Sequence, residues 1–344
     1  MKLSEEQKFA IRNLIKFPKQ VQTLGGFAGT GKTTLIRNIM EILPNFAICA
    51  YTGKAANVLR KKGVNATTIH SLIYKAKKIE DKVYFTLADS IPYEGIIVDE
   101  SSMVSKSIYD DLISFGKPVI FVGDHGQLEP IGDNSFNLMK NPDYRLENIH
   151  RNAGEIAHFC EYIRCGYNPK SWQHRYPCEK IKFISRNEIN DLVENVDQII
   201  CAYNKKRVEI NKLVREKMGK DANVPTLSDR IMCLRNNNIK GLFNGMQGYI
   251  GWFHKKNYIT FVSDDFAIDI NIDLESFNKE KYEIEYDKDA PNPFDYAYCV
   301  TCHKAQGSEY DKVLVLEQKS SLWDNLRWNY TAASRTKEKL YWCN

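Results

Sequence analysis

Val21-Gln22-Thr23-Leu24-Gly25-Gly26-Phe27-Ala28-Gly29-Thr30-Gly31-Lys32-Thr33-Thr34 is the stretch whose reading decides the fold. An apolar run reads as a β-strand, passes through glycines, and continues into helical periodicity from Thr33 to Leu43. Residues 26–33 match G-x-x-x-x-G-K-[ST] in the strand-to-helix setting that the pattern demands. Around Gly29, Thr30 and Gly31 the backbone N–H groups are free to wrap phosphate oxygens, and the helix start that carries Thr34 adds partial positive charge. Lys32 then reaches the β- and γ-phosphates and Thr33 ligates Mg²⁺, so the implied cofactors are ATP and Mg²⁺.

Outward from this loop, short apolar strands alternate with amphipathic helices. Residues 4–16 carry Phe9, Ile11, Leu14 and Ile15 behind a capping Ser4, Phe46-Ala-Ile-Cys-Ala50 is a strand, and residues 55–62 are helical again. That alternation predicts a parallel α/β sheet. Gly95-Ile-Ile-Val98 is a further buried strand, and it ends in Asp99 and Glu100. Behind a phosphate loop such a pair places Asp99 to hold Mg²⁺ and Glu100 to activate the attacking water, although a solvated acid pair is the plain alternative. Residues 74–93 interrupt the rhythm with a β-hairpin turning near Glu80 and Asp81, and strand 118–122 resumes it. A second α/β set begins after about residue 145, with strands at 198–202 and 312–316 and a helix at 206–217. Between them, residues 229–290 hold short, turn-separated strands that read as a β insertion.

Composition bounds the answer without choosing it. The chain has 344 residues, 43% apolar and 26% charged, and a net charge of +5 that permits a polyanionic partner without demanding one. There is no apolar run of about 18 residues and no secretory pattern at the start, so the expected setting is soluble, intracellular and cytoplasmic, with no membrane. Nine cysteines in apolar surroundings read as reduced core thiols. Cys299-Val-Thr-Cys302-His303 spells a haem-attachment string, but a different motif accounts for the same residues.

That motif belongs to a set that resembles superfamily 1B DNA helicases of the RecD and Dda type, in order and over nearly the whole chain. Leu3-Ser-Glu-Glu-Gln7 resembles the Q motif, whose glutamine reads adenine. Residues 50–56 and 67–72 resemble motifs Ia and Ib, which line a single-strand track with Thr52, Lys54 and His70; outside that frame Lys54 and His70 read as a helix cap and a loop histidine. Gly123-Asp124-His-Gly-Gln127-Leu-Glu129-Pro130 is similar to motif III, with Gln127 contacting the γ-phosphate and Glu129 departing from the usual pattern. Residues 146–151 resemble motif IV and Tyr330-Thr-Ala-Ala-Ser334-Arg335 resembles motif VI, which implies that Arg151 and Arg335 reach the γ-phosphate; a surface ion pair is the alternative for each. Thr301-Cys-His303-Lys304-Ala-Gln-Gly307-Ser-Glu309 resembles motif V, with Thr301, His303 and Lys304 facing DNA and Gly307 and Glu309 near the nucleotide.

The resemblance implies two RecA-like P-loop domains with parallel sheets and ATP in the cleft between them. Domain 1A spans 1–145 with a pin hairpin at about 75–92, domain 2A spans 146–228 and 291–344, and an SH3-like domain 2B spans 229–290. Tyr84 or Phe85 would be the pin's wedge, and Trp252 with Phe253 and His254 would hold a strand or close the small barrel. The implied function is 5′-to-3′ translocation on single-stranded DNA with duplex unwinding by a monomer. Its partners would be single-stranded DNA, ss/dsDNA junctions and a single-strand-binding or replisome protein. A DNA-stimulated translocase that displaces proteins, and a P-loop kinase or nucleotide switch, are the competing readings.

Overall fold

A computed structural model describes residues 3–16, 19–79, 82–129, 136–149, 154–176, 178–237, 240–263, 266–283, 290–321 and 323–344, without the side chains of residues 76–85. The chain divides into two compact units. The first comprises Met1–Ile79, Tyr84–Tyr167 and Leu326–Thr331, and the second Glu80–Val83, Asn168–Asn325 and Ala332–Asn344.

The strands up to residue 146 are β1 (Val21–Gly26), β2 (Phe46–Ala50), β3 (Ala66–Thr68), β4 (Tyr74–Ile79), β5 (Lys82–Leu87), β6 (Gly95–Asp99), β7 (Val119–Gly123) and β8 (Tyr144–Leu146). Six of them form one parallel sheet in the order β3-β2-β6-β7-β1-β8. Both faces are covered, which is why these strands read as continuous apolar runs. Ile48, Ile97, Ile120 and Val122 point to one face, against helices Glu5–Lys16, Lys32–Ile42 and Gly53–Lys61. Cys49, Ile96, Val98, Val119 and Phe121 point to the other, against Ile108 and Leu112 of helix Lys106–Ser114. The hairpin expected at residues 74–93 is present as the two-stranded sheet β4-β5.

The second unit holds β9 (Ile181–Ile184), β10 (Gln198–Cys201), β11 (Arg230–Cys233), β12 (Gln247–Lys255), β13 (Tyr258–Val262), β14 (Ala267–Asp273), β15 (Asn292–Tyr296), β16 (Cys299–Thr301), β17 (Tyr310–Leu316) and β18 (Thr336–Cys343). A second parallel sheet runs β16-β10-β17-β18-β9, and β11 to β15 close into a barrel. The barrel is filled by Ile231, Ile250, Ile259, Phe261, Ile270, Phe294 and Tyr296.

Helix Asn204–Lys217 fastens that barrel through two buried arginines. Arg207 pairs with Asp295 of β15, and Arg215 pairs with Asp229 beside β11 while stacking 4.1 Å from the Tyr296 ring. Parallel α/β sheets with a small closed barrel therefore match the expected fold class. All nine cysteines are free, and seven of them are buried, as core thiols should be. Among the described residues no helix is long and apolar enough to cross a membrane.

Candidate functional site

Strands β6, β7 and β1 are neighbours, so the loops leaving their C-terminal ends lie side by side at the edge where parallel sheets bind ligands. The loop after β1 turns through Gly29 and Gly31 at φ 82 and 81, values that a residue with a Cβ resists. Gly26 is required by space: a Cβ there would come within 2.8 Å of Thr30 Oγ1. Gly31 hands the chain to helix Lys32–Ile42, whose first turn carries Thr33 and Thr34. Lys32 Nζ donates to the carbonyls of Gly26 and Phe27 at 2.7 and 3.1 Å and lies 3.8 Å from Asp124 Oδ2. Gln7, 2% exposed, closes a capping box with Ser4 and donates from Nε2 to the Thr30 carbonyl at 3.1 Å. Its helix start is thus tied to the phosphate loop.

After β6, Asp99 Oδ1 accepts the Glu100 N–H at 2.9 Å. Burial and the neighbouring Glu100 carboxylate push the Asp99 carboxyl up to about 7, against the pull of Lys32. Glu100 itself sits at φ 55 and ψ 40, a left-handed conformation rare outside glycine and characteristic of functional positions.

After β7, Asp124, 1% exposed, accepts from Gly126 N at 2.9 Å and from Gln127 Nε2 at 3.3 Å. The Gln127 amide oxygen is buried with no hydrogen-bond partner among the described residues, as a group awaiting a ligand would be. Asp124 stood inside the quoted motif III, and Tyr330 and Thr331 inside the quoted motif VI, but none of them was given a role from sequence, and Arg327 was not quoted at all. Tyr330 donates to Asp124 Oδ2 at 2.6 Å, Thr331 Oγ1 accepts the Leu128 N–H at 2.9 Å, and Arg327 donates to the Gln127 carbonyl at 3.1 Å. In the same unit the Arg164 guanidinium stacks 4.0 Å above the ring of Phe27, and His125 packs 4.0 Å from it. The Tyr330-Thr331 start of the quoted motif VI was the available signal.

The expected track residues of the first unit follow the ends of the paired strands β2 and β3. Thr52 Oγ1 caps helix Gly53–Lys61 by accepting the Ala55 N–H, and Lys54 lies half-buried in its first turn. His70 is half-buried against Tyr74 at 5.4 Å, and burial lowers its pKa. In the second unit Thr301 precedes the short helix Cys302–Ala305, which presents His303 and Lys304. Burial lowers the pKa of both, and Lys304 Nζ donates to Asn244 Oδ1 of the barrel at 2.6 Å. Gly307 follows at φ 70 and Glu309 is exposed. Arg335 is buried, donating to the Ser308 carbonyl at 3.3 Å and to Ser334 Oγ at 3.0 Å. Arg151 and the Phe85 side chain lie outside the described residues.

Residues 2–183, more than half of the chain, match the AAA domain family AAA_30. The chain belongs to this AAA domain family. Residues 296–343 of the same AAA-family chain match the UvrD-like helicase C-terminal domain. The RecBCD enzyme subunit RecD of Mycolicibacterium smegmatis is 24% identical over 98% of the chain and 70% of its own length. The ATP-dependent DNA helicase dda of Enterobacteria phage T4 is 34% identical, over 39% of the chain and 34% of its own length. These relatives bear out the resemblance to the RecD and Dda type. A Pif1 helicase from Bacteroides, solved with ADP-AlF3 and ssDNA, aligns with a TM-score of 0.62 over 99% of this chain and 92% of that one. At 21% identity that likeness shows the fold, two RecA-like domains. The chain spans about a third of the length of the first curated relatives it matches.

Proposed function

We propose that this chain is an ATP-dependent DNA helicase that translocates 5′-to-3′ on single-stranded DNA and unwinds duplex by hydrolysing Mg-ATP. The observation that carries the reading is the convergence of Lys32 and Gln127 on Asp124, beside the strand end of Asp99 and Glu100. A phosphate-binding ammonium, a buried amide with a spare acceptor and an acid pair then serve one reaction. Lys32 neutralises charge that develops on the β- and γ-phosphates, Glu100 takes a proton from the attacking water, and Gln127 senses the γ-phosphate.

Mg²⁺ would be held by Thr33 and Asp99, an all-oxygen donor set suited to a hard cation, and it would neutralise phosphate charge. A carboxyl pushed up to about 7 by burial and a like charge gains from a divalent cation. Gln7 is assigned to the adenine side, Gly29, Thr30, Gly31 and Thr34 to the phosphates, and Gly307 and Glu309 to the nucleotide. Arg151 and Arg335 are assigned as transition-state arginines on their motifs.

For DNA, the reading assigns Thr52, Lys54, His70, Thr301, His303 and Lys304 to the tracked strand and Phe85 to the pin. The domain division is that of 1A (1–145), 2A (146–228 and 291–344) and 2B (229–290). Trp252, 60% exposed on β12 of the barrel, is assigned as a base-stacking aromatic. The names of the relatives RecD and dda, and the ssDNA bound to the Bacteroides Pif1, support this choice of substrate. ATPase titrated with single-stranded DNA and RNA tests the first half, and 5′-tailed against 3′-tailed duplexes test the second. Unwinding of the 3′-tailed substrate alone would defeat the polarity, and ATPase indifferent to nucleic acid would favour a kinase or switch.

A further inference from the structure

The Tyr330 hydroxyl joins two loops of the candidate ATPase site. Tyr330 is 2% exposed, accepts the Ala28 N–H of the phosphate loop at 2.7 Å and donates to Asp124 Oδ2 at 2.6 Å. The directions are forced, because a backbone N–H can only donate and an ionised carboxylate can only accept. Burial raises the phenol's pKa well above its ordinary value, so the proton needed for this arrangement stays in place. The ring is fixed as well: Phe27 meets it edge-on at 6.2 Å, and a Cβ on Gly126 would come within 3.0 Å of it.

Asp124 Oδ2 is also the atom that Gln127 Nε2 contacts at 3.3 Å and that Lys32 Nζ approaches to 3.8 Å. We propose that Tyr330 is a positioning residue for ATP hydrolysis, acting through Asp124: its hydroxyl clasps the phosphate loop to the loop after β7 and sets the spacing of Lys32 and Gln127. This rests on the ATPase reading above. Thr331 and Arg327, on the same helix Asn325–Ala333, secure the far end of that loop at Leu128 N and the Gln127 carbonyl, so the hydroxyl works from a fixed base.

Tyr330→Phe keeps the ring and deletes the clasp. The kcat of ATP hydrolysis at saturating single-stranded DNA should fall roughly 10- to 100-fold, as for loss of a hydrogen bond to a charged group. KM for ATP and the half-saturating DNA concentration should stay near wild type. Asp124→Asn, which keeps the shape and weakens the acceptor, should give the same kcat-selective loss, and the two substitutions together should cost little more than either alone. Full kcat in Tyr330→Phe overturns the proposal, and so do additive effects in the double variant or a loss that falls equally on nucleotide affinity. A wild-type protein with no ATP turnover defeats the parent reading and this proposal with it. A wild type that turns over beside an unimpaired Tyr330→Phe defeats this proposal alone.

Discussion

Glu100 combines backbone strain with charge repulsion beside Asp99, and two substitutions separate these contributions. Its φ of 55 places a Cβ-bearing residue in the left-handed region, which costs about 1–2 kcal/mol and which asparagine tolerates better than glutamine. Its charge also helps to push the adjacent Asp99 up to about 7. Glu100→Gln removes the charge and keeps the backbone cost, whereas Glu100→Asn removes the charge and part of the cost. Both should lose ATPase by about 10² to 10⁴-fold, the usual contribution of a general base.

In thermal melts with EDTA and no nucleotide, Glu100→Asn should be more stable than Glu100→Gln by about 0.5–1 kcal/mol, since asparagine recovers only part of the left-handed penalty. For a cooperative unit of this size that is a gap of about 1–4 °C. Glu100→Gln should itself melt above wild type, by an amount that depends on pH. The raised Asp99 carboxyl favours the protonated folded form, so its contribution is favourable near pH 4 and is lost as pH rises toward 7. The advantage of the neutral variant should therefore be largest above pH 7 and vanish below pH 4. An asparagine variant melting at or below the glutamine variant would refute the strain argument, and substantial retained ATPase would refute the assignment of the base.

Lys32→Ala should abolish ATP turnover while single-stranded DNA affinity, read by fluorescence anisotropy, stays near wild type; retained turnover would remove Lys32 from the phosphate site. Burial holds His70, His125 and His303 below their ordinary 6.5, so their neutral forms contribute stability that is present above that pH and lost as pH falls through it. Urea midpoints should thus decline between pH 7.5 and 5.5, less steeply in His125→Phe, and equal slopes would argue against His125. Arg215→Met removes the buried guanidinium from Asp229, which keeps Lys220 Nζ at 2.9 Å, the Thr226 N–H and the Tyr298 hydroxyl, and should cost about 1.5–3 kcal/mol, the worth of a charged hydrogen bond, so an unchanged urea midpoint would mean that this pair does not hold the barrel to its helix.

Local rules made much of the fold legible in the sequence. The phosphate loop is readable because left-handed glycines, a missing Cβ and a helix start are requirements of adjacent residues. The parallel sheets are readable because strands covered on both faces, such as Ile96-Ile97-Val98, become unbroken apolar runs between helices. The barrel strands betray themselves by alternation and turns. Short strands carry less signal, and β3, β8 and β9 were passed over because three or four residues hold too little periodicity to detect.

Motif order, together with these patterns, was enough to name the family resemblance and the residues proposed for the nucleotide. What only the tertiary structure decided is how those residues are held. Tyr330 meets Asp124 across 206 positions of sequence, and Thr331 meets Leu128 across 203. Such contacts leave no spacing to read, and a buried tyrosine on a helix looks the same from sequence whether it fills space or joins two loops. The φ of Glu100 was equally hidden, because glutamate is not a residue that announces a left-handed turn. Lys32, Asp99, Glu100 and Gln127 could be named from the chain, but Lys32 and Gln127 meet on Asp124, beside the strand end of Asp99 and Glu100, because β6, β7 and β1 lie side by side, an order that hydrogen bonding between distant strands decides.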